Sequence, residues 1–416
     1  MRRKIDSFVR NKFFQGSLIL TFTNFLVGFL NYLFNSLSAK VLGPKGYGEI
    51  ITFFSYSVVL SVPIAVFTTD IIRRLGEKGD KKIDAWLSWR IWFLKKINRY
   101  KLLLVPYFLT TFLFSRLSNI SLMAAFSVLF GLFLSFITVF YTAGFQGLHF
   151  FLIFSIFSVI AALIKLAGPV LVYFGLDGIN TVFISLILAN AILFIASDIT
   201  IKKLFVNMKI NYTIKNTAYK IVLNPLFFIT LFSLIGLNMI GNIDVMFVKK
   251  FFSSENTGLY GAWSLLSKIV LYFIGALTGI TYVFFSDKQQ KKNHQKILFL
   301  TLGGIFFIGF IFYNSYIFFG REIITVLLSN KYSGILKFLP KAAIFGTFYT
   351  LITIINSYFL AKKSKLSLIT TAFVPFYAIF LFFFAKTITN VVNINLLIGG
   401  LIAGAYFIAA LFFKET

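Results

Sequence analysis

Apolar runs of roughly 20 residues, separated by short polar stretches, recur along the whole of this 416-residue chain. A helix of that length crosses a hydrocarbon core of about 30 Å. In lipid, backbone groups must be hydrogen-bonded within the spanning helix or around a closed barrel. The period-2 alternation of a barrel strand is absent, so the pattern predicts an all-α, polytopic membrane protein. Twelve spans are predicted, over residues 14–38, 50–72, 97–115, 119–141, 150–174, 179–199, 221–243, 257–283, 297–319, 335–360, 366–386 and 391–413. The third is the weakest. Its uncharged stretch, Leu102 to Ser115, reaches full length only by running back through Arg99 and Lys101, whose long stems can snorkel to the interface. Ahead of it, AWLSWRIWFLKK places Trp86, Trp89 and Phe93 on one helical face. That face predicts either an interfacial helix or the start of one long third span.

Loop charge sets the orientation. With the N-terminus inside, the inner segments hold 28 Lys and Arg residues against 10 on the outer side. This positive-inside bias predicts that both termini are cytoplasmic; the location expected is the cell (inner or plasma) membrane. The basic start, MRRKIDSFVRNKFF, runs into a full span with no small-residue cleavage site and reads as a retained tail. The loop LFVNMKINYTIKNTAYK divides the spans six and six, which predicts an N-terminal bundle over 1–207 and a C-terminal bundle over 208–416. An internal repeat supports the division. Asn31 and Asn35 match Asn238 and Asn242, and LGPKGYGEI matches SSENTGLYGAW with Gly46 opposite Gly258. Six is even, so the halves are predicted to be parallel repeats about an axis along the membrane normal.

Composition then removes several functions. Charged residues are 13% of the chain, against about 25% in soluble domains. The net charge of +27 would suggest nucleic acid in a soluble protein. Here the basic residues lie mainly in short loops, where they serve topology and contact anionic membrane lipids. There is no cysteine, and the two histidines, His149 and His294, lie in loops, so no metal centre is predicted. No catalytic constellation is visible.

Polar residues inside spans carry the functional signal, because a charge at the helix centre costs about 2.5–3.5 kcal/mol to insert. Lys165 lies near the middle of the fifth span, on a face with Ser155, Ser158 and Ala162. Lys268 lies near the middle of the eighth, on a face with Gly261, Ser264, Gly275 and Gly279. Two cations lining a lumen would attract an anionic substrate; the plainer alternatives are a structural ion pair or a snorkelling side chain. Among the acids, Asp70 and Asp198 sit near cytoplasmic span ends and Asp244 near an outer one. Asp244, and less directly Asp70, are candidates for a coupling proton or sodium ion; alternatively Asp244 pairs with Lys249 or Lys250. Asn24, Gly28, Asn31, Asn35 and Ser38 fall within about 80° of one another on the first span. Such a stripe lines a hydrophilic lumen or bonds between helices. Pro63, Pro169, Pro225 and Pro375 are candidate hinges.

At AKVLGPKGYGEI (39–50) the chain resembles the polysaccharide biosynthesis, or Wzx-type, oligosaccharide flippases. These belong to the MOP superfamily with the MATE drug exporters and the lipid II flippases. That family follows its first span with a loop close to A-R-x-L-G-P-x-G-Y-G; here Lys40 stands where arginine is common. Further similar stretches follow in order: Gln146-Gly147-Leu148, where His149 replaces the usual basic residue, then NIDVMFVKKFFSSENTGLYGAW (242–263) and FGREIITVLLSNKYSG (319–334). The resemblance implies two six-helix bundles around a central cavity with alternating access. It also implies carriage of a polyprenyl-(pyro)phosphate-linked oligosaccharide from the cytoplasmic to the outer leaflet. The head group would then meet Lys165, Lys268 and Lys40, and the sugars would meet lumen groups such as Asn24, Asn31, Asn35, Asn238, Asn242, Ser158 and Ser264. Glycan polymerase and assembly proteins are the partners implied, with no cofactor beyond a coupling H+ or Na+. The alternatives are a MATE-like cation-coupled drug exporter, which calls for buried carboxylates, and a membrane glycan polymerase or ligase, which calls for a large outer loop. The longest outer loop, at 320–334, is about 15 residues. A non-transporting scaffold is a further alternative.

Overall fold

The computed structural model of the chain describes residues 12–78, 81–205, 225–274, 285 and 294–413. The basic tail before residue 12, the loop holding the predicted 207/208 boundary, and Gly275 and Gly279 lie outside the described residues. What is described is helical, without a strand.

The helices, in chain order, are α1 (Lys12–Leu60), α2 (Val62–Gly76), α3 (Lys82–Arg99), α4 (Leu104–Ser118), α5 (Leu122–Gly147), α6 (Phe151–Tyr173), α7 (Gly178–Phe205), α8 (Pro225–Ile240), α9 (Ile243–Phe251), α10 (Ser254–Ser267), α11 (His294–Phe318), α12 (Gly320–Leu327), α13 (Leu339–Ala361), α14 (Ile369–Phe384) and α15 (Ile388–Phe412). Among the described residues nine helices are long and apolar enough to cross a membrane, or ten if the pair α8 and α9, bent by 49°, forms one span. Large apolar side chains such as Phe306, Phe307, Phe310, Phe382 and Phe383 point outward, a surface that only lipid would cover at this extent. The chain is a multi-pass membrane protein.

The first helix shows how sequence sets a break. At 49 residues α1 would measure about 73 Å as a rod, more than twice the hydrocarbon core. It is interrupted at a single residue: Gly43 has φ 65° and ψ −178°. That left-handed φ suits glycine alone. Pro44 follows, at the start of a helix where its missing N–H has no partner to lose. The predicted loop at 39–50 is therefore corrected to helix on both sides of a one-residue break.

The residues group into two compact units. The first takes its described residues from Met1–Phe34, Pro63–Arg116 and Ser121–Val222. Its core joins Ile71, Trp86, Trp89, Phe93, Phe140, Phe145 and Phe205. The aromatic face of α3 is thus packed on protein, not laid on a lipid interface. Trp86 is fully buried and its Nε1 donates to the Phe140 carbonyl at 2.6 Å. Gly144 makes room for it, since a Cβ there would come within 2.0 Å of Nε1. Nor does α3 extend the third span: a 3-10 turn at Lys101–Leu103 separates it from α4, whose 15 residues cover about 22 Å.

The second unit comprises Asn35–Val62, Leu117–Ile120 and described residues of Leu223–Thr416. The grouping is not a simple cut at 207, because residues 35–62 and 117–120 join the second half. The reason is local. A Cβ on Gly258 would lie 1.7 Å from the Pro44 carbonyl oxygen, and one on Gly48 would lie 3.0 Å from Gly258 N. Glycine at these places lets the α1 break and the start of α10 approach backbone to backbone. Those are the two stretches matched by the internal repeat. At the centre of this unit α13 is buried along most of its length. Gly346 admits the Ser267 carbonyl and Gly309 admits Thr347 against it.

Candidate functional site

The polar centre of the second unit grows from two helix interruptions. The α8 helix stops at Ile240, and Gly241 and Asn242 separate it from α9. Gly241 is required because a Cβ would lie 2.4 Å from the Tyr349 hydroxyl. The break puts Asp244 in the first turn of α9, where the helix dipole favours a negative charge. The second interruption is at Lys268, the C-cap of α10, where the dipole favours a positive one.

Asp244 is fully buried. Its Oδ2 accepts from the Tyr260 hydroxyl and from Asn395 Nδ2, the latter at 2.8 Å. Asn395 Nδ2 also approaches Tyr260 Oη at 2.6 Å, and the Tyr377 hydroxyl donates to Asn395 Oδ1. Tyr260, Tyr377 and Asn395 are all buried. Asp244 Oδ1 has no hydrogen-bond partner among the described residues. A buried carboxylate oxygen without a donor is costly, and such groups mark strain, chemistry or an ion. The neutral donors around Oδ2 orient the carboxylate and leave its other oxygen able to take a proton or a cation.

Lys268 lies beside this network. It is 9% exposed, and its Nζ donates to Asn242 Oδ1 at 3.1 Å. Asn242 in turn donates from Nδ2 to the Asn238 carbonyl at 2.8 Å. Among the described residues no ion pair ties Lys268 to a carboxylate. Ser264, one turn before it, is buried, and its Oγ has no hydrogen-bond partner among the described residues.

In the first unit Lys165 is half-buried on α6, and no hydrogen bond or ion pair of its ammonium is found among the described residues. Its carbonyl accepts from Ser185 Oγ at 3.1 Å, and Gly168 admits Ser185 one turn on. Ser158 donates to its own helix at the Phe154 carbonyl. Asn24 is exposed and Asn31 half-buried. Asn35, at the start of the second unit, is half-buried and accepts from the Tyr47 hydroxyl at 3.4 Å; Lys40 is exposed.

The other acids are committed elsewhere. Asp70 accepts from Arg73 and Arg74, both at 2.7 Å, so each of its oxygens is occupied. Asp198 accepts from Arg90, Lys202 and Tyr141. Lys249 pairs with Glu49, not with Asp244. The structure therefore brings Asp244, Asn242, Asn238 and Lys268 into one neighbourhood within the second unit, while Asp70 belongs to the first. Sequence reasoning missed Tyr260, Tyr377 and Asn395 as partners. The available signal was Asn395 itself, an amide within an otherwise apolar final span.

With the geometry in place, the fold can be set beside solved structures. No family model and no curated protein matches the chain. An inward-facing multidrug resistance MATE family transporter of the MOP superfamily superposes with a TM-score of 0.68 at 14% identity, over 92% of this chain and 93% of that one. The lipid II flippase MurJ in an inward closed conformation gives 0.63 at 17% identity, over 96% and 88%. A MOP superfamily transporter from Pyrococcus furiosus, described as having a binding pocket of reverse polarity, gives 0.63 at 13%, over 95% and 94%. The chain shares its fold with this MATE family transporter and with MurJ.

Proposed function

We propose that this chain is an alternating-access transporter that flips a polyprenyl-(pyro)phosphate-linked oligosaccharide from the cytoplasmic to the outer leaflet. The observation that carries the reading is Lys165 and Lys268: two ammonium groups in apolar spans, neither in an ion pair among the described residues, although Lys268 feels the charge of nearby Asp244. A charge in that setting calls for a counter-charge that comes and goes. A pyrophosphate head supplies it, with Lys40 as an entry or exit contact. Asn24, Asn31, Asn35, Asn238, Asn242, Ser158 and Ser264 would serve the sugars. The fold shared with a lipid II flippase supports a lipid-linked cargo. Rocking of two six-helix halves, divided near 207, would switch access. In this reading the protein works in the cell membrane with both termini cytoplasmic, beside glycan polymerase and assembly proteins. Asp244 carries the coupling H+ or Na+.

The test is flipping of a fluorescent prenyl-pyrophosphate saccharide in proteoliposomes, read by protection from a membrane-impermeant quencher. Lys165→Gln and Lys268→Gln should each slow it, and an uncharged prenyl saccharide should be carried poorly by the native chain. Equal rates for the charged and uncharged lipids would overturn the anion site.

A second reading, a cation-coupled exporter of drugs or small molecules, is favoured by one observation: the buried, half-satisfied Asp244 in a fold shared with a MATE exporter. Cation-driven antiport of a cationic dye, without saccharide flipping, would select it.

A further inference from the structure

The stretch between α11 and α13 is a folded cap with two faces. Leu328, Tyr332, Ile335 and Phe338 are buried within the second unit. Tyr332 donates from its hydroxyl to the Ala39 carbonyl at 3.0 Å and meets Tyr47 edge to face, and Ser36 donates to the Leu327 carbonyl. These contacts fix α12 and the 3-10 helix Asn330–Phe338 as a rigid surface.

On its other face Arg321, Ile324, Thr325, Asn330, Ser333 and Leu336 line a cavity of about 250 Å³. That is slightly below the roughly 300–1,000 Å³ of drug-sized pockets, and fits one ring but not an oligosaccharide. Thr325 Oγ1 donates to Asn330 Oδ1 at 2.8 Å, which occupies the amide oxygen and leaves the amide NH2 to donate outward. Arg321 is exposed and makes no ion pair among the described residues, not even with neighbouring Glu322. The Ser333 hydroxyl is also exposed. The cavity therefore presents a planar cationic fork, an amide donor and hydroxyls over an apolar floor of Ile324 and Leu336. A guanidinium matches a carboxylate in bidentate fashion. The amide and hydroxyls match ring hydroxyls, and the floor matches the C–H face of a pyranose.

We propose that this cavity is a binding subsite for a single acidic sugar unit, a hydroxylated ring bearing a carboxylate. It deepens the flippase reading, since loop charge assigns this cap to the outer side, where a translocated glycan would emerge.

The experiment uses the full-length chain in detergent and saturation-transfer NMR with glucuronate, glucose and inorganic phosphate as probes. The expected result is transfer to glucuronate ring protons, little to glucose, and a weakening of glucuronate affinity by roughly tenfold or more in Arg321→Gln. Arg321→Lys should recover only part of it, because a point charge lacks the fork. Equal transfer to glucose and glucuronate, or no change in Arg321→Gln, would overturn the site. So would complete displacement of glucuronate by equimolar phosphate, which would mark a mere anion site. Binding is read without transport. If saccharide flipping fails while glucuronate binding depends on Arg321, the subsite stands and the flippase reading falls. If flipping succeeds without such binding, the subsite alone falls.

Discussion

Each unit surrounds a carboxylate with an aromatic hydroxyl and other polar groups, and the two solve its charge differently. In the first unit Asp198 lies near the end of α7 and is 21% exposed. Arg90 and Tyr141 serve its Oδ1 and Lys202 its Oδ2, and the Arg90 guanidinium sits 4.9 Å from the centre of the Tyr141 ring. Both oxygens are occupied and two cations neutralise one anion. In the second unit Asp244 is fully buried, and among the described residues it accepts hydrogen bonds only from neutral donors, Oδ1 accepts none, and nearby Lys268 bonds to Asn242 instead. A charge-compensated cluster holds structure. One without an ion pair is buried deeper at greater cost, and in the proposed reading it is kept for something that is not always there. Arg90 ties α3 to α7 as a clamp, whereas the proposed role of Asp244 is to receive a cation.

The largest expected effect comes from breaking the clamp. Arg90→Met keeps the apolar stem but leaves Asp198 with the Tyr141 hydroxyl and, as its one cation, the exposed Lys202. Breaking a fully buried pair costs about 3–5 kcal/mol. This one is partly exposed, so a loss of about 2–3 kcal/mol is expected, seen as a lower melting temperature of the purified chain in detergent. A melting temperature equal to the parent's would remove the contrast from the first unit. Next comes Tyr260→Phe, which takes one of the two donors from Asp244 Oδ2 while keeping the ring against Trp263. A lost hydrogen bond to a buried charge predicts about 1–3 kcal/mol of destabilisation in the same assay. It also predicts an altered affinity for the coupling cation, and a change in neither would make the tyrosine mere packing. Lys202→Ala is smaller still. Its side chain is 69% exposed and pairs at i,i+4, so about 0.3–0.5 kcal/mol is expected, fading with salt. A loss comparable to that of Arg90→Met would mean that the two cations share the clamp equally.

How far these clusters could be foreseen follows from what sequence encodes. The helical membrane architecture was legible because each span must be apolar over its own length, a local requirement. The polarity of Asp244 and Lys268 was legible for the same reason. Their partners were not. Tyr260 lies 16 residues from Asp244 and Asn395 lies 151, and only packing brings them together. Trp86, Trp89 and Phe93 showed an apolar face whose periodicity is the same whether it meets lipid or protein. Its burial on Phe140 and Phe145 depends on Gly144, which looked like any other glycine. The Gly43-Pro44 pair announced a break but read as a loop, because sequence does not reveal that one residue suffices.

The last substitution separates charge from structure. Asp244→Asn keeps the size of the side chain and one oxygen to accept from Tyr260 and Asn395. It exchanges a carboxylate oxygen that has no donor among the described residues for an amide nitrogen, and removes a charge that makes no ion pair among them. If the native charge is held at a cost, stability in the absence of coupling ion should fall by no more than about 1 kcal/mol, or should rise. The ion response should vanish. A cation that fills the gap beside Oδ1 stabilises the native chain by mass action, raising its melting temperature as concentration increases. In Asp244→Asn the same titration should be flat, and cation-driven transport should lose its dependence on the gradient. A large loss of stability in Asp244→Asn, with the ion titration unchanged, would show that the charge belongs to a structural network after all. The two units would then differ only in depth.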